Sequence, residues 1–130
     1  MRSLHRIGLF AQSLLYLVSG INHFAHESFY LNIMPDHYAS PDAWVRLTGA
    51  AEILCGIGVL VPFTRRFAAG AIMLMLVVFL DVHLFMLRHA ERFPTVPLWV
   101  LWIRIPLQFV LIWWTWSYAR RDTTKQPSQL

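Results

Sequence analysis

Four ionisable side chains stand inside long apolar runs of this sequence: Arg46, Glu52, Asp81 and Arg104. Two are cations and two are carboxylates, a set that can bind a polar ligand, move a proton or form neutral pairs. The same runs hold His23 and His83, imidazoles that titrate near neutrality, together with Asn22, His26 and Gln108. Placing one Arg, Lys or Asp near the centre of a membrane helix costs about 2.5–3.5 kcal/mol, so four facing lipid cost roughly 10–14 kcal/mol. A folded domain is stable by only about 5–15 kcal/mol. The four are therefore expected to face one another inside a helix bundle. In WIRIPLQ, residues 102–108, Arg104 and Gln108 lie four apart on one helix face, as Thr48 and Glu52 do in an earlier run. Pro106 leaves the Trp102 carbonyl without its helical donor, a gap tolerated where other groups or water can fill it. The expected partner of Arg104 is Glu52 or Asp81.

These residues need helices to hold them, and the composition says which kind. Of 130 residues, 57% are hydrophobic and 14% charged, with a mean hydropathy of +0.49. Soluble domains are nearer about 45–50% apolar and about 25% charged. Runs at 7–25, 43–63, 67–87 and 97–118 are each long enough to cross a hydrocarbon core of about 30 Å. Asn22, His23 and His26 make the first run a span rather than a cleaved leader. The net charge of +4 does not indicate nucleic acid, because the basic residues gather at the ends of apolar runs. Arg2, Arg6, Arg65, Arg66, Arg120, Arg121 and Lys125 fall on one side, and Arg88 and Arg92 on the other. Seven against two predicts both termini in the cytoplasm. The expected architecture is all-α: a four-transmembrane-helix bundle over residues 1–121 with a disordered cytoplasmic tail, 122–130. It is a multi-pass integral membrane protein, of the plasma (inner) membrane if bacterial. A short amphipathic segment in the first outer loop, with Phe29, Tyr30, Leu31, Ile33 and Met34, lies at the interface or folds back over the bundle mouth. Small residues at Gly56, Gly58 and 68–71 let the second and third spans approach closely. The single cysteine, Cys55, is a packing residue.

With that orientation the polar residues share one half of the bilayer. Arg46 lies near the outer surface, Glu52 and Gln108 near the middle, and Asp81, His83 and Arg104 in the outer half. Asn22, His23 and His26 sit at the outer end of the first span. The inner half has only Gln12 and Ser13. A ligand or proton-handling site is the functional reading, and a purely structural charge network the plain one. A metal bound by His23, His26 and His83 is a weaker alternative, since HxxH lacks the general base that makes HExxH specific.

The stretches GINHF at 20–24, GAAEILCGIGVLVPFTR at 49–65 and RIPLQ at 104–108, in this order around a proline-containing loop, resemble the DoxX-like family of small four-helix membrane proteins. The matching positions are His23, Phe24, Gly49, Glu52, Gly56, Arg104 and Gln108. The resemblance implies an accessory subunit of a quinone-linked membrane oxidoreductase rather than a stand-alone enzyme. A quinone is then the expected ligand, and a membrane redox protein and further copies of the chain the expected partners, within the lipid bilayer. Glu52 and His23 would carry protons, and Arg104 and Gln108 would hold a carbonyl oxygen. Asp81, Arg46, His83 and Asn22 would complete the polar wall, and Phe24 and Trp102 the apolar one. The alternative is a membrane assembly factor or chaperone that meets its client through residues 30–34. A small-molecule transporter, which would need an oligomer, comes third.

Overall fold

The computed structural model describes the backbone of residues 2–123 and the side chains of residues 3–121. It is all-helical, with no strand among the described residues: α1 (Arg2–Ala25), α2 (Glu27–Ile33), α3 (Pro41–Gly58), α4 (Arg65–Arg88), a short 3-10 turn (Ala90–Arg92) and α5 (Leu98–Thr123). α5 runs through residues 122 and 123, which sequence reasoning puts in the tail, and 124–130 lie outside the described residues.

Three helices are long and apolar enough to cross a membrane: Ser3–Ala25 within α1, α4, and Leu98–Arg121 within α5. α3 is shorter than its expected run of 43–63. It has 18 residues, about 27 Å at ~1.5 Å each, and they include Asp42, Arg46 and Glu52. Pro41 at its first turn supplies a preset φ, and Ser40 before it takes the left-handed conformation, φ 53°. At the other end the chain turns at 59–64 instead of continuing as helix. The Thr64 hydroxyl donates to the Gly58 carbonyl (2.9 Å) and Arg65 Nε to that of Val59 (2.7 Å). These bonds fill acceptors that a helix C-terminus leaves open.

The helices associate as two close-packed antiparallel pairs, α1 with α3 and α4 with α5, and α3 touches α4 between them. Glycine sets the first pair. A Cβ on Gly20 would lie 2.6 Å from the Gly49 carbonyl oxygen, and one on Gly49 2.7 Å from His23 Cβ. Gly56 also packs against α1, at Ser13 and Leu17, and the Ser13 hydroxyl donates to its carbonyl (2.6 Å). Of the small residues expected between the second and third spans, Gly58 does meet Ala68, whereas Gly70 has no neighbour within 4 Å. The surface is the reverse of a soluble protein's. Ile7, Phe10, Leu14, Phe67, Leu74 and Trp113 are exposed, while Gln12, Ser13, Glu52, Gln108 and Thr115 are buried. An apolar exterior around polar contacts suits lipid.

Candidate functional site

A cavity of about 220 Å³ lies between the two helix pairs, walled by α1, α3, α4 and α5 and covered by α2 and the connection after it. The α1–α3 side carries His23 and Glu52, both buried. His23 Nδ1 lies 3.0 Å from the Val45 carbonyl oxygen. A carbonyl only accepts, so Nδ1 carries the hydrogen and Nε2 is left facing Glu52 Oε2 at 3.4 Å. A proton between those two atoms can belong to either, giving a neutral acid and imidazole or a carboxylate and imidazolium. Glu52 Oε2 has no hydrogen bond of ordinary geometry, and Ser19 stands beside the carboxyl. The Tyr30 ring of α2 stacks on His23 with centroids 3.9 Å apart, closing the site from above.

The α4–α5 side carries His83, Gln108 and Arg104. Gln108 Nε2 donates to the Leu76 carbonyl (2.7 Å), which fixes its amide so that Oε1 accepts from His83 Nε2 (3.3 Å). His83 Nδ1 is then a bare acceptor, buried and without a protein partner. Both ends of the Gln108 amide are occupied, so this residue positions His83. Arg104 lines the cavity half-buried, and its Nη1 donates to Met86 Sδ (3.3 Å). The expected pairing fails here: neither Glu52 nor Asp81 is within 4.0 Å of Arg104 to form a salt bridge among the described residues. The carboxylates have nearer partners, so Arg104 keeps guanidinium donors for something else.

The other charges are distributed around the mouth. Asp81 Oδ2 accepts from His37 Nε2 (2.8 Å) and from the Tyr38 hydroxyl (3.0 Å), both in the connection after α2. Burial, and then the bond to Asp81, pushes the Tyr38 phenol above its ordinary value. Arg46 Nε donates to Glu27 (2.9 Å) and Arg92 Nη1 to Asp36 (3.2 Å), both exposed pairs. The charges that hold the cover down are thus separate from those in the cavity.

Of the residues read from sequence, the structure brings His23, Glu52, His83, Arg104 and Gln108 to the cavity wall. Asp81 and Arg46 serve the cover instead. Asn22 donates to the Tyr30 hydroxyl (2.9 Å) and accepts from exposed His26 (2.7 Å), outside the wall. Phe24 and Trp102 are exposed on the outer surface and do not form the apolar wall. No three His, Cys, Asp or Glu side chains converge on a metal position among the described residues. Sequence reasoning missed Tyr16 and Ser19 in the wall, where Thr48 joins Glu52 from the face they were read to share. The signal was present, since Gln12, Tyr16, Ser19 and His23 follow one face of α1 at helical spacing. The cavity also has an apolar seam. α1 and α4 are not a close-packed pair, and Leu15 and Val78 line the cavity while being exposed outside.

A family of known outline covers nearly all of this arrangement, matching residues 12–119 under the description Domain of unknown function (DUF8561). The chain belongs to this family. Its matched region begins at Gln12 and takes in every cavity residue named above. No curated protein and no solved structure matches the chain.

Proposed function

We propose that the protein crosses the membrane four times with both termini cytoplasmic, and that it binds a quinone-like head group as an accessory subunit of a membrane redox system. α3, the helix too charged to qualify alone, is carried across by the three apolar ones because Glu52 faces inward. The single observation that carries the ligand reading is Arg104: a cavity cation with no carboxylate partner among the described residues, in the same cavity as the Glu52 carboxyl and the His23 imidazole, 3.4 Å apart. An oxygen acceptor on a ring would take the Arg104 donors. A ring hydroxyl would donate to His83 Nδ1. About 220 Å³ is less than the ~300–1,000 Å³ of sites that enclose a drug-sized ligand, so one ring enters and an isoprenoid-like tail leaves through the Leu15–Val78 seam. Reduction of a quinone to its quinol takes two electrons and two protons. The electrons would come from a partner oxidoreductase, and the His23–Glu52 pair would supply protons. The DoxX-like resemblance supports the same reading.

The assembly-factor alternative has less to stand on, because three of its five client-contact residues, Tyr30, Ile33 and Met34, face inward. Tyr30 stacks on His23, Ile33 is buried with Met86 and Leu101, and Met34 lines the cavity. The test is a thermal-shift titration of the purified protein in detergent with a short-chain quinone. Saturable stabilisation is expected for the parent, and a loss of affinity of at least about ten-fold, ~1.4 kcal/mol, for Arg104→Leu. A parent protein that no quinone stabilises would remove the reading.

A further inference from the structure

Below the cavity Cys55, Val59, Ala68, Ile72 and Leu76 form an apolar core, and buried polar groups run beside it. On α1 the residues Gln12, Tyr16, Ser19 and His23 form one polar stripe, and Gln12 and Tyr16 are buried. Gln12 Nε2 donates to Thr115 Oγ1 of α5 (2.6 Å), and the Thr115 hydroxyl donates to the Leu111 carbonyl (2.9 Å). The Tyr16 hydroxyl stands beside Gln12 and Thr115, with Glu52 beyond it. Gln12 Oε1 and Tyr16 OH have no hydrogen-bond partner of ordinary geometry, and Glu52 Oε2 meets only His23 Nε2, at 3.4 Å. All three belong to residues with at most 4% exposure. Packing alone does not explain them, because apolar side chains of the same size would leave nothing unfilled. One turn below Gln12, the Tyr118 hydroxyl sits against Gly8, where any Cβ would displace it. Tyr118 accepts from Trp114 Nε1 and packs on the ring of His5, at the end of the bundle that carries Arg6 and Arg120. From His5 to His23 the stripe is 18 residues of α1, about 27 Å, close to the thickness of a hydrocarbon core of about 30 Å.

We propose that this column is a proton path joining Glu52 to the bundle end at His5 and Tyr118. Its use rests on the quinone reading, for which it supplies the protons; its test does not. The unfilled oxygens are water-holding positions. The Tyr16 hydroxyl takes a proton from one side as it releases its own to the other. Gln12 Oε1 orients the water below it, and Thr115 holds the Gln12 amide. Each carrier ends with the protons it began with, and only Glu52 gains or loses one. The titratable and charged groups around Glu52 are His23 and Tyr16 from α1, Tyr30 from α2, Tyr38 from the connection after it, Cys55 on its own helix, His83 from α4 and Arg104 from α5.

The experiment follows the H2O-to-D2O exchange of the Glu52 carboxylic acid by stopped-flow infrared spectroscopy, at acidic pH, in detergent and without ligand. The Glu52 band is isolated by subtracting Glu52→Gln in each background. Gln12→Leu and Tyr16→Phe, the second removing a single oxygen from an otherwise intact core, should each slow the exchange at least ten-fold. Exchange at the parent rate in both, with the Glu52 band still present, overturns the path and places proton access at the cavity mouth. Since no quinone enters the measurement, its failure is distinct from failure of the quinone titration.

Discussion

The α1–α3 and α4–α5 pairs wall the same cavity but are held together differently. In α1–α3 the backbones nearly touch, through Gly20, Gly49 and Gly56, with Ser13, Gly20 and Gly49 carbonyl oxygens among the nearest atoms. His23 and Glu52, 3.4 Å apart, belong to this closely packed pair. In α4–α5 contact runs through side chains: Gln108 reaches across to Leu76 and His83, and Arg104 to Met86. A thioether is a soft, weak acceptor, so the Arg104 contact with Met86 is a weak one. One side of the cavity is thus set by backbone contact and the other by side-chain contacts.

The largest blow to this contrast comes from Gly49→Leu. Its side chain would meet His23 Cβ and the α1 backbone, and overpacking of this kind costs about 1–3 kcal/mol or more. The variant should yield little monodisperse protein, or lose Tm sharply. Gly70→Leu, at a glycine with nothing within 4 Å, should leave Tm nearly unchanged; equal damage from both would end the argument for a glycine-fixed pair. Gln108→Leu tests the other side. Losing its bond to Leu76 costs about 0.5–1.5 kcal/mol, and His83 loses the acceptor that sets its tautomer, which nitrogen NMR of labelled histidine reads directly.

The cover responds to pH. Because the Tyr38 phenol is raised in the folded protein, the stability it adds is complete below its unfolded value of 10.0 and is lost as pH rises through the higher folded value. Trp44, whose ring centroid is 5.7 Å from that of Tyr38, should report an alkaline change in emission that Tyr38→Phe abolishes. The smallest effect is Arg46→Ala. Its pair with Glu27 is exposed, and such pairs contribute about 0–1 kcal/mol, so quinone affinity and Tm should hardly move.

Much of the helical plan was legible because apolar runs separated by charge have one physical solution in lipid. α1, α4 and α5 fall where those runs do. α3 ends early because Thr64 and Arg65 fold back on its last carbonyls, a contact across a turn that hydropathy does not encode. Depth along each helix put His23, Glu52, His83, Arg104 and Gln108 between the middle of the bilayer and its outer surface, and they do meet at one cavity. Direction was harder. Phe24 is next to His23 in sequence yet about 100° round the helix, and it faces outward. Asp81 was matched to Arg104 on charge alone, but its partners His37 and Tyr38 come from a loop whose path no periodicity reveals. The polar stripe of α1 was legible and was undervalued, because only Gln12 and Ser13 were read as polar at that depth.

For a ligand that enters as proposed, the apolar seam at Leu15 and Val78 also decides what concentration means. A molecule arriving sideways is counted by its mole fraction among the lipids, not by its molarity in the buffer. Apparent affinities will therefore weaken as detergent or lipid is added at constant ligand, and compounds will rank by how well they partition before they rank by how well they fit.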